Sequence, residues 1–251
     1  MDLSVVVPAY NEERRIGPSL ARIVTYLAGR PGSAEVLVVI DGSRDHTRDV
    51  VRGVTNELHR DVPVRLLDRG TNSGKGACVR HGMLAARGDL RLFSDADLST
   101  PIEEVERLAE SIRSGADIAI GSRRLPDSRT DVPQPLPRRI MGGVFSWCAR
   151  RLAAPGIRDT QCGFKLFTAD ATAQVFARQH IEGFGFDVEL LWIAHRLGLR
   201  VAEVPVIWDD DPRSSVRPVS DAARMLQDLV RIRLADRRGL YADPTELPDD
   251  A

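Results

Sequence analysis

The chain has 251 residues, 43% of them hydrophobic, with 35 Lys and Arg against 36 Asp and Glu and a formal net charge of -1. That length is ample for a buried core in one large domain or two small ones, and the balanced charge argues against the global basic field of sequence-independent nucleic-acid binding. Three widely spaced cysteines, Cys78, Cys148 and Cys162, form no C-x-x-C pair, which argues against a disulfide framework or zinc site and for a reducing, cytoplasmic setting.

In chain order, apolar runs at 3–7, 36–40, 64–67, 90–94 and 118–120 predict strands. Helix-period stretches near 12–28, 45–58, 75–87 and 101–114 separate them. That alternation is the signature of βαβ units, so the fold class expected is α/β with a mostly parallel central sheet and helices on both faces. Asn11 reads as a cap of the first helix, Thr100 with Pro101 and Glu103 as a capping box, and Gly88, Gly115 and Gly198 as helix stops. Beyond 122 the character changes to a Pro- and Arg-rich stretch at 126–139 and a helix-like segment near 139–153. A segment at 159–167, a helix near 186–197, a strand near 201–207 and a last helix near 219–236 follow. No run approaches the ~18–20 apolar residues of a membrane span. The chain also opens straight into a strand pattern without a basic, apolar leader. The expectation is a soluble protein, or one peripheral at the cytoplasmic membrane face.

Ligands of such sheets bind at the carboxyl ends of the strands, and there the chain places polar groups: Pro8-Ala9-Tyr10-Asn11-Glu12-Glu13, Asp41-Gly42-Ser43, residues 68–75, and Asp95-Ala96-Asp97. Two aspartates at i and i+2 on an extended segment point the same way, and an oxygen-only site suits Mg²⁺ or Mn²⁺. Acidic groups beside helix N-termini suit a sugar nucleotide, since carboxylates accept from base and ribose while a metal neutralises the diphosphate. Asn11, Ser43, Asp45 and Thr100 could equally serve only as helix caps. Gly70-Thr71-Asn72-Ser73-Gly74-Lys75-Gly76 imitates a phosphate loop, but its spacing is one short and Gly76 stands where the Mg²⁺-holding hydroxyl belongs. The dinucleotide fingerprint fails too, for want of a third glycine and a following acid.

Taken together, Val5 to Glu13, Asp41-Gly42-Ser43-x-Asp45-x-Thr47, Gly74-Lys75-Gly76-Ala77, Asp95-Ala96-Asp97-Leu98-Ser99, Gly121-Ser122-Arg123 and Asp159-Thr160-Gln161-Cys162-Gly163-Phe164-Lys165 resemble glycosyltransferase family 2. Within it the pattern is most similar to the dolichyl- or polyprenyl-phosphate glucosyl- and mannosyltransferases. The resemblance implies a GT-A fold, an inverting reaction, a nucleoside-diphosphate sugar donor and Mg²⁺ or Mn²⁺. It implies a single domain over 1–240, with a nucleotide-sugar half at 1–121, an acceptor half at 122–240 and a flexible tail at 241–251. Pro8, Tyr10, Glu12, Asp41 and Lys75 would line the nucleotide sugar, Asp95 would sit by ribose and diphosphate, and Asp97 would ligate the metal. Asp159 and Gln161 would face sugar and acceptor, with Arg123, Arg139, Arg213 and Arg217 toward the acceptor phosphate. Two departures stand out: Ile40 replaces the first of two acids usual before Gly-Ser, and Arg213 and Arg217 flank Ser214-Ser215 where the family often has Gly-Ser-(Lys/Arg).

The expected donor is UDP-glucose ahead of GDP-mannose, and the expected acceptor a lipid phosphate, with a soluble small-molecule acceptor as the rival. A phosphate monoester with its second pKa near ~6 is already a nucleophilic dianion at neutral pH, whereas a hydroxyl needs a base, for which Asp159 is the leading candidate. Asp159 could instead simply order its loop. The arginine-flanked apolar segment at 138–152 and the last helix, with arginines 224, 231, 233, 237 and 238, could each lie on an anionic membrane or pack against the sheet.

Overall fold

The computed structural model describes residues 1–57, 62–130, 143, 148–152, 154, 156–209 and 218–242. In chain order these form β1 (Leu3–Ala9), α1 (Ile16–Gly29), β2 (Ala34–Ile40), α2 (Thr47–Glu57), β3 (Val64–Asp68), α3 (Lys75–Ala85) and β4 (Leu90–Ser94). Then come a 3-10 turn at Ile102–Glu104, α4 (Val105–Arg113), β5 (Ile118–Ser122), β6 (Phe164–Thr168), α5 (Ala169–Ala177), α6 (Phe186–Arg196), β7 (Val201–Pro205) and α7 (Pro218–Arg237). Among the described residues seven strands share one sheet in the order β3-β2-β1-β4-β6-β5-β7. The strands β1 to β4 run parallel, β7 runs parallel to β5, and β6 is inserted antiparallel between β4 and β5.

The strands read as unbroken apolar runs because both faces are covered, and the two-residue period sorts them. Val5, Val7, Val36, Val38, Ile40 and Leu92 pack against Ile16, Leu20 and Ile23 of α1 and Leu108 of α4. Val6, Leu37, Val39 and Phe93 face the other way, onto Val79 and Met83 of α3, Phe176 of α5 and Leu190 and Ile193 of α6. The helices thus hold the sheet rigid while its carboxyl edge stays open for the loops after β1, β2, β3 and β4.

Several local expectations are corrected. Asn11 does not cap α1, which starts at Ile16 behind Arg15; Asn11 has left-handed backbone (φ 55°) and its Oδ1 accepts from the Arg44 amide, tying two loops. The capping box at Thr100 does not form, because Pro101 leads into a 3-10 turn without a side-chain cap. The Thr100 hydroxyl is 3.9 Å from Cys162 Sγ, and Glu103 pairs with Arg22 at 3.0 Å. Gly115 and Gly198 do follow α4 and α6 in left-handed backbone, while Gly88 lies beyond the end of α3. Tyr241, assigned to the tail, is buried, and its hydroxyl donates to Glu189 at 2.7 Å. Of the helix expected near 139–153, residues 143 and 148–152 are helical and the others lie outside the described residues.

β6 and α5 are elements that sequence periodicity did not announce. Lys165 interrupts the apolar run of β6 with a charge, and in the fold that ammonium is fully buried, ion-paired with Asp187 of α6. It also donates to the Cys162 carbonyl at 2.7 Å and lies 5.2 Å from the Phe93 ring centroid. Removing one member of a buried pair strands the other, at a cost of about 3–5 kcal/mol. Asp187→Ala is therefore expected to lose stability of that order in urea unfolding, and Lys165→Met with Asp187→Leu to regain most of it. A single variant within experimental error of the wild type would remove this pair from the sheet's stabilising contacts.

Candidate active site

The acidic segment after β4 forms a turn, not the extended strand end expected from its i, i+2 spacing. The Leu98 amide donates to the Asp95 carbonyl at 3.1 Å, and Leu98 takes φ 50°, a backbone conformation uncommon for a bulky residue. Asp97 Oδ1 accepts from the Ser99 amide at 3.1 Å, locking the turn. Burial, and then the neighbouring charge of Asp95, push the Asp97 carboxyl above its ordinary pKa. Both carboxylates are thus held where their charges repel.

Cations at the starts of two helices answer them. Lys75, the first residue of α3, places Nζ 2.6 Å from Asp95 Oδ1. Burial alone would lower the Lys75 pKa, but Asp95, Asp187 and Asp97 outweigh it and hold the ammonium charged. Arg15, just before α1, lies 3.5 Å from Asp97 Oδ2 and clamps Glu12 through two bonds of 2.6 and 2.5 Å. Burial raises the Glu12 pKa, and Arg15 opposes that shift. Arg15 was not among the expected site residues, although its i+3 spacing from Glu12 was legible.

Gly163 supplies the floor beneath Asp95. Its carbonyl accepts from the Asp95 amide at 3.1 Å, and a Cβ added there would sit 2.0 Å from Asp95 Oδ2, so only glycine leaves the carboxylate in place. The motif at 159–165 contains this glycine but assigns it no role, since the approach is between segments 68 residues apart and has no local signal.

The loops after the first three strands close the side where the nucleotide is expected. Asp41 is buried and accepts from the Ser73 and Gly74 amides at 2.9 and 2.7 Å. Those are amides a phosphate loop would offer to phosphate, so the Walker-like run is occupied by a carboxylate, and Asp41 serves first to shape the loop that delivers Lys75. Ser43 accepts from the Asn11 amide at 3.0 Å, while Asp45 accepts from Thr47 and Glu13 at the start of α2. These polar side chains tie loop to loop. Pro8 is buried within β1, and Tyr10, one residue past its end, leaves its ring exposed.

Asp159, expected to face sugar and acceptor, is fully buried and fully engaged. Arg123 donates to it from its backbone amide, Nε and Nη2 at 3.0, 2.7 and 2.8 Å. Burial would raise the Asp159 pKa, but the Arg123 guanidinium overrides it and holds the carboxyl well below the usual carboxylate range. A carboxylate so hard to protonate is a poor base, so the geometry favours loop ordering over proton transfer for Asp159. Arg123 in turn lies 5.2 Å from the Trp208 ring centroid and is consumed by this pair, not offered to an acceptor. Gln161 differs: its Nε2 is buried without a hydrogen-bond partner among the described residues, a donor left for a ligand. Arg139, Arg213 and Arg217 lie outside the described residues.

For a divalent metal, the donor set of Asp95 and Asp97 is hard oxygen, the chemistry that suits Mg²⁺ or Mn²⁺. Among the described residues no three His, Cys, Asp or Glu side chains gather into a metal cage. A cation there would take its remaining oxygens from substrate and water, as Mg²⁺ commonly does. No helix among the described residues is long and apolar enough to cross a membrane.

A model of the family described as glycosyl transferase family 2 matches residues 4–176. A dolichyl-phosphate beta-glucosyltransferase of Trichomonas vaginalis is 40% identical over 246 residues, covering 94% of this chain and 72% of the relative. The dolichyl-phosphate beta-glucosyltransferases of Drosophila melanogaster and Homo sapiens are 39% and 36% identical, covering 92% and 95% of this chain and 74% and 77% of theirs. Among solved structures, a GT-A likeness is found in glucosyl-3-phosphoglycerate synthase from Mycobacterium tuberculosis, crystallised with Mn²⁺, UDP-glucose and phosphoglyceric acid. Its TM-score is 0.66 at 20% identity, covering 99% of this chain and 81% of that one. The same enzyme crystallised with Mg²⁺ and UDP gives a TM-score of 0.63.

The Asp159–Arg123 pair generates a pH signature. A depressed folded-state pKa contributes stability that is full above the unfolded value near ~4 and is lost as the pH falls through the lower folded value. In Arg123→Met the buried carboxylate lacks its cation, its pKa rises, and the sign reverses: acidification from neutrality should stabilise the variant relative to its own neutral state. At neutral pH the variant should lose about 3–5 kcal/mol. Urea midpoints measured across that range check this, and parallel profiles for variant and wild type would contradict the pairing.

Proposed function

The chain belongs to glycosyltransferase family 2, and we propose that it transfers glucose from UDP-glucose, with inversion, to a dolichyl or other polyprenyl phosphate. The observation that carries the acceptor class is the capture of Asp159 by Arg123. The carboxylate that is the leading candidate for a base is engaged by a guanidinium, and a phosphate dianion is the nucleophile that needs positioning and no deprotonation. The donor and the sugar follow the relatives named for dolichyl-phosphate glucosyl transfer.

In this reading each group has a defined task. Tyr10, Pro8 and Glu12 line the nucleoside, Asp41 holds the loop that aims Lys75, and Lys75 with Asp95 fixes the ribose and diphosphate end. Asp97, aided by Asp95, would hold Mg²⁺ or Mn²⁺, which when bound neutralises the charge that builds on the departing nucleoside diphosphate. The unpaired amide of Gln161 donates to the sugar or to the incoming phosphate. Among the arginines expected at the acceptor, Arg139, Arg213 and Arg217 remain assigned to its phosphate, while Arg123 acts through Asp159.

Two measurements test this. Asp97→Ala is expected to abolish the Mn²⁺-dependent part of UDP-glucose binding in isothermal titration and to lower turnover by roughly a thousandfold or more, the scale of losing one transition-state charge stabiliser. Metal dependence surviving in the variant would remove Asp97 from the site. The pH profile of kcat/KM with a short-chain polyprenyl phosphate should fall below about pH 6, where the acceptor takes a proton, and a phosphonate acceptor with a higher second pKa should move that break upward. A break indifferent to the acceptor would assign it to a protein base, and efficient transfer to a soluble hydroxyl acceptor with none to the lipid would promote the rival acceptor class.

A further inference from the structure

The outward face of α7 carries a feature that the active-site chemistry does not use. Leu226, Val230 and Leu234 are 41, 56 and 44% exposed, and Leu240 beyond the helix is 49% exposed. The first three are spaced four residues apart, so they form one stripe about 12 Å long. The opposite side of the helix is anchored, with Leu229 and Ile232 buried against the α6 side of the sheet. Around the stripe stand the exposed arginines 224, 231, 237 and 238. Asp228 pairs with Arg231 at 3.1 Å and Asp236 with Arg196 at 3.0 Å, which leaves Arg224, Arg237 and Arg238 as the arginines here without an ion pair among the described residues.

We propose that this face of α7 is a docking surface for an anionic lipid bilayer. Apolar side chains flanked by exposed cations match the acyl boundary and the phosphate layer of a membrane at once. A second copy of this chain fits worse, since a two-fold contact through the stripe would set arginines against arginines. The placement of the helix also serves such a partner. Asp228 packs on Gly185 at the start of α6, two residues from the Asp187 whose charge acts on Lys75, and Asp236 meets Arg196 at the other end of α6. α7 therefore runs alongside α6 in the same direction, with its earlier turns at the active-site edge of the sheet, so a bilayer lying on the stripe would reach the mouth where a lipid phosphate is needed. The inference rests on the lipid-phosphate reading of the acceptor.

The test is co-sedimentation of the full chain with vesicles of phosphatidylcholine and phosphatidylserine, beside vesicles of phosphatidylcholine alone, at low and high salt. Wild type is expected to bind the anionic vesicles and to be released by salt. Leu226→Ser/Val230→Ser/Leu234→Ser should weaken binding by at least about tenfold, and Arg224→Ser/Arg237→Ser/Arg238→Ser on the order of a hundredfold. All six residues are exposed, and circular dichroism with thermal melting verifies that both variants fold. Equal sedimentation of wild type and both variants, no sedimentation at all, or a wild-type dimer that the leucine variant converts to monomer would each overturn the proposal. Glucose transfer to a short-chain polyprenyl phosphate without vesicles separates the two readings. Vesicle binding with the expected pattern but no transfer leaves the docking face standing and removes the acceptor assignment; transfer without vesicle binding does the reverse.

Discussion

Negative charge crowded at one edge of the sheet is the condition on which the architecture of this protein turns. Glu12, Asp41, Asp95, Asp97, Asp159 and Asp187 all gather near the carboxyl ends of the strands or the segments packed against them, and most are buried. A buried carboxylate is tolerable only when paired or hydrogen-bonded, and each has a distinct solution. Arg15 answers Glu12 and approaches Asp97, backbone amides answer Asp41, Lys75 answers Asp95, Arg123 answers Asp159 and Lys165 answers Asp187. These pairings sort the acids by role. Asp159 and Asp187 are each held by one close cation, while the neighbouring carboxylates of the Asp95–Asp97 turn face Lys75 and an Arg15 that is already shared with Glu12.

The same constraint explains where the backbone is strained. Asn11 and Leu98 are the non-glycine residues with left-handed backbone among those described, and they lie in the loops after β1 and β4. Such conformations cost of order 1–3 kcal/mol each and persist where the surroundings over-determine them. At Leu98 the surroundings are the turn bond to Asp95 and the Ser99 amide on Asp97. At Asn11 they are its bonds to the Arg44 amide and the Ser43 hydroxyl. Rigid acids and rigid loops suit a site whose catalysis lies in electrostatic placement, because groups that need not reorganise stabilise developing charge most effectively.

The antiparallel β6 is what joins the two halves of the chain into one site. Its position between β4 and β5 brings Gly163 beneath Asp95 and sends Lys165 to Asp187 on α6, while Gln161 just ahead of it keeps a buried amide nitrogen without a partner among the described residues. The segment ahead of α6 reaches back to the loop that carries Lys75: Glu182 O accepts from the Ala77 amide, and Gln179 donates to the Gly76 carbonyl. Glu189 holds that segment through the His180 and Ile181 amides and is itself met by Tyr241. Tyr241 is thus tied, through buried polar contacts, to the helix N-terminus that carries Lys75.

By itself the sequence determined the α/β alternation, the strands that carry the active edge, the family, and the acids that cluster there, because two-residue and helical periodicities are local and acidic motifs at strand ends need no partner to be recognised. It did not determine the helix start at Ile16, the turn at Asp95–Leu98, β6 or the partners of the acids. A charge inside an apolar run, as at Lys165, reads as a break in a strand until its counter-ion arrives from a helix 22 residues on. Asp159 reads equally as base or brace until the Arg123 guanidinium, 36 residues before it, is seen closing on both carboxylate oxygens. Gly163 reads as a turn until Asp95 is found above it. Those are long-range contacts, and only tertiary structure decides them, because Coulomb attraction and steric exclusion depend on separation in space, which sequence spacing does not carry.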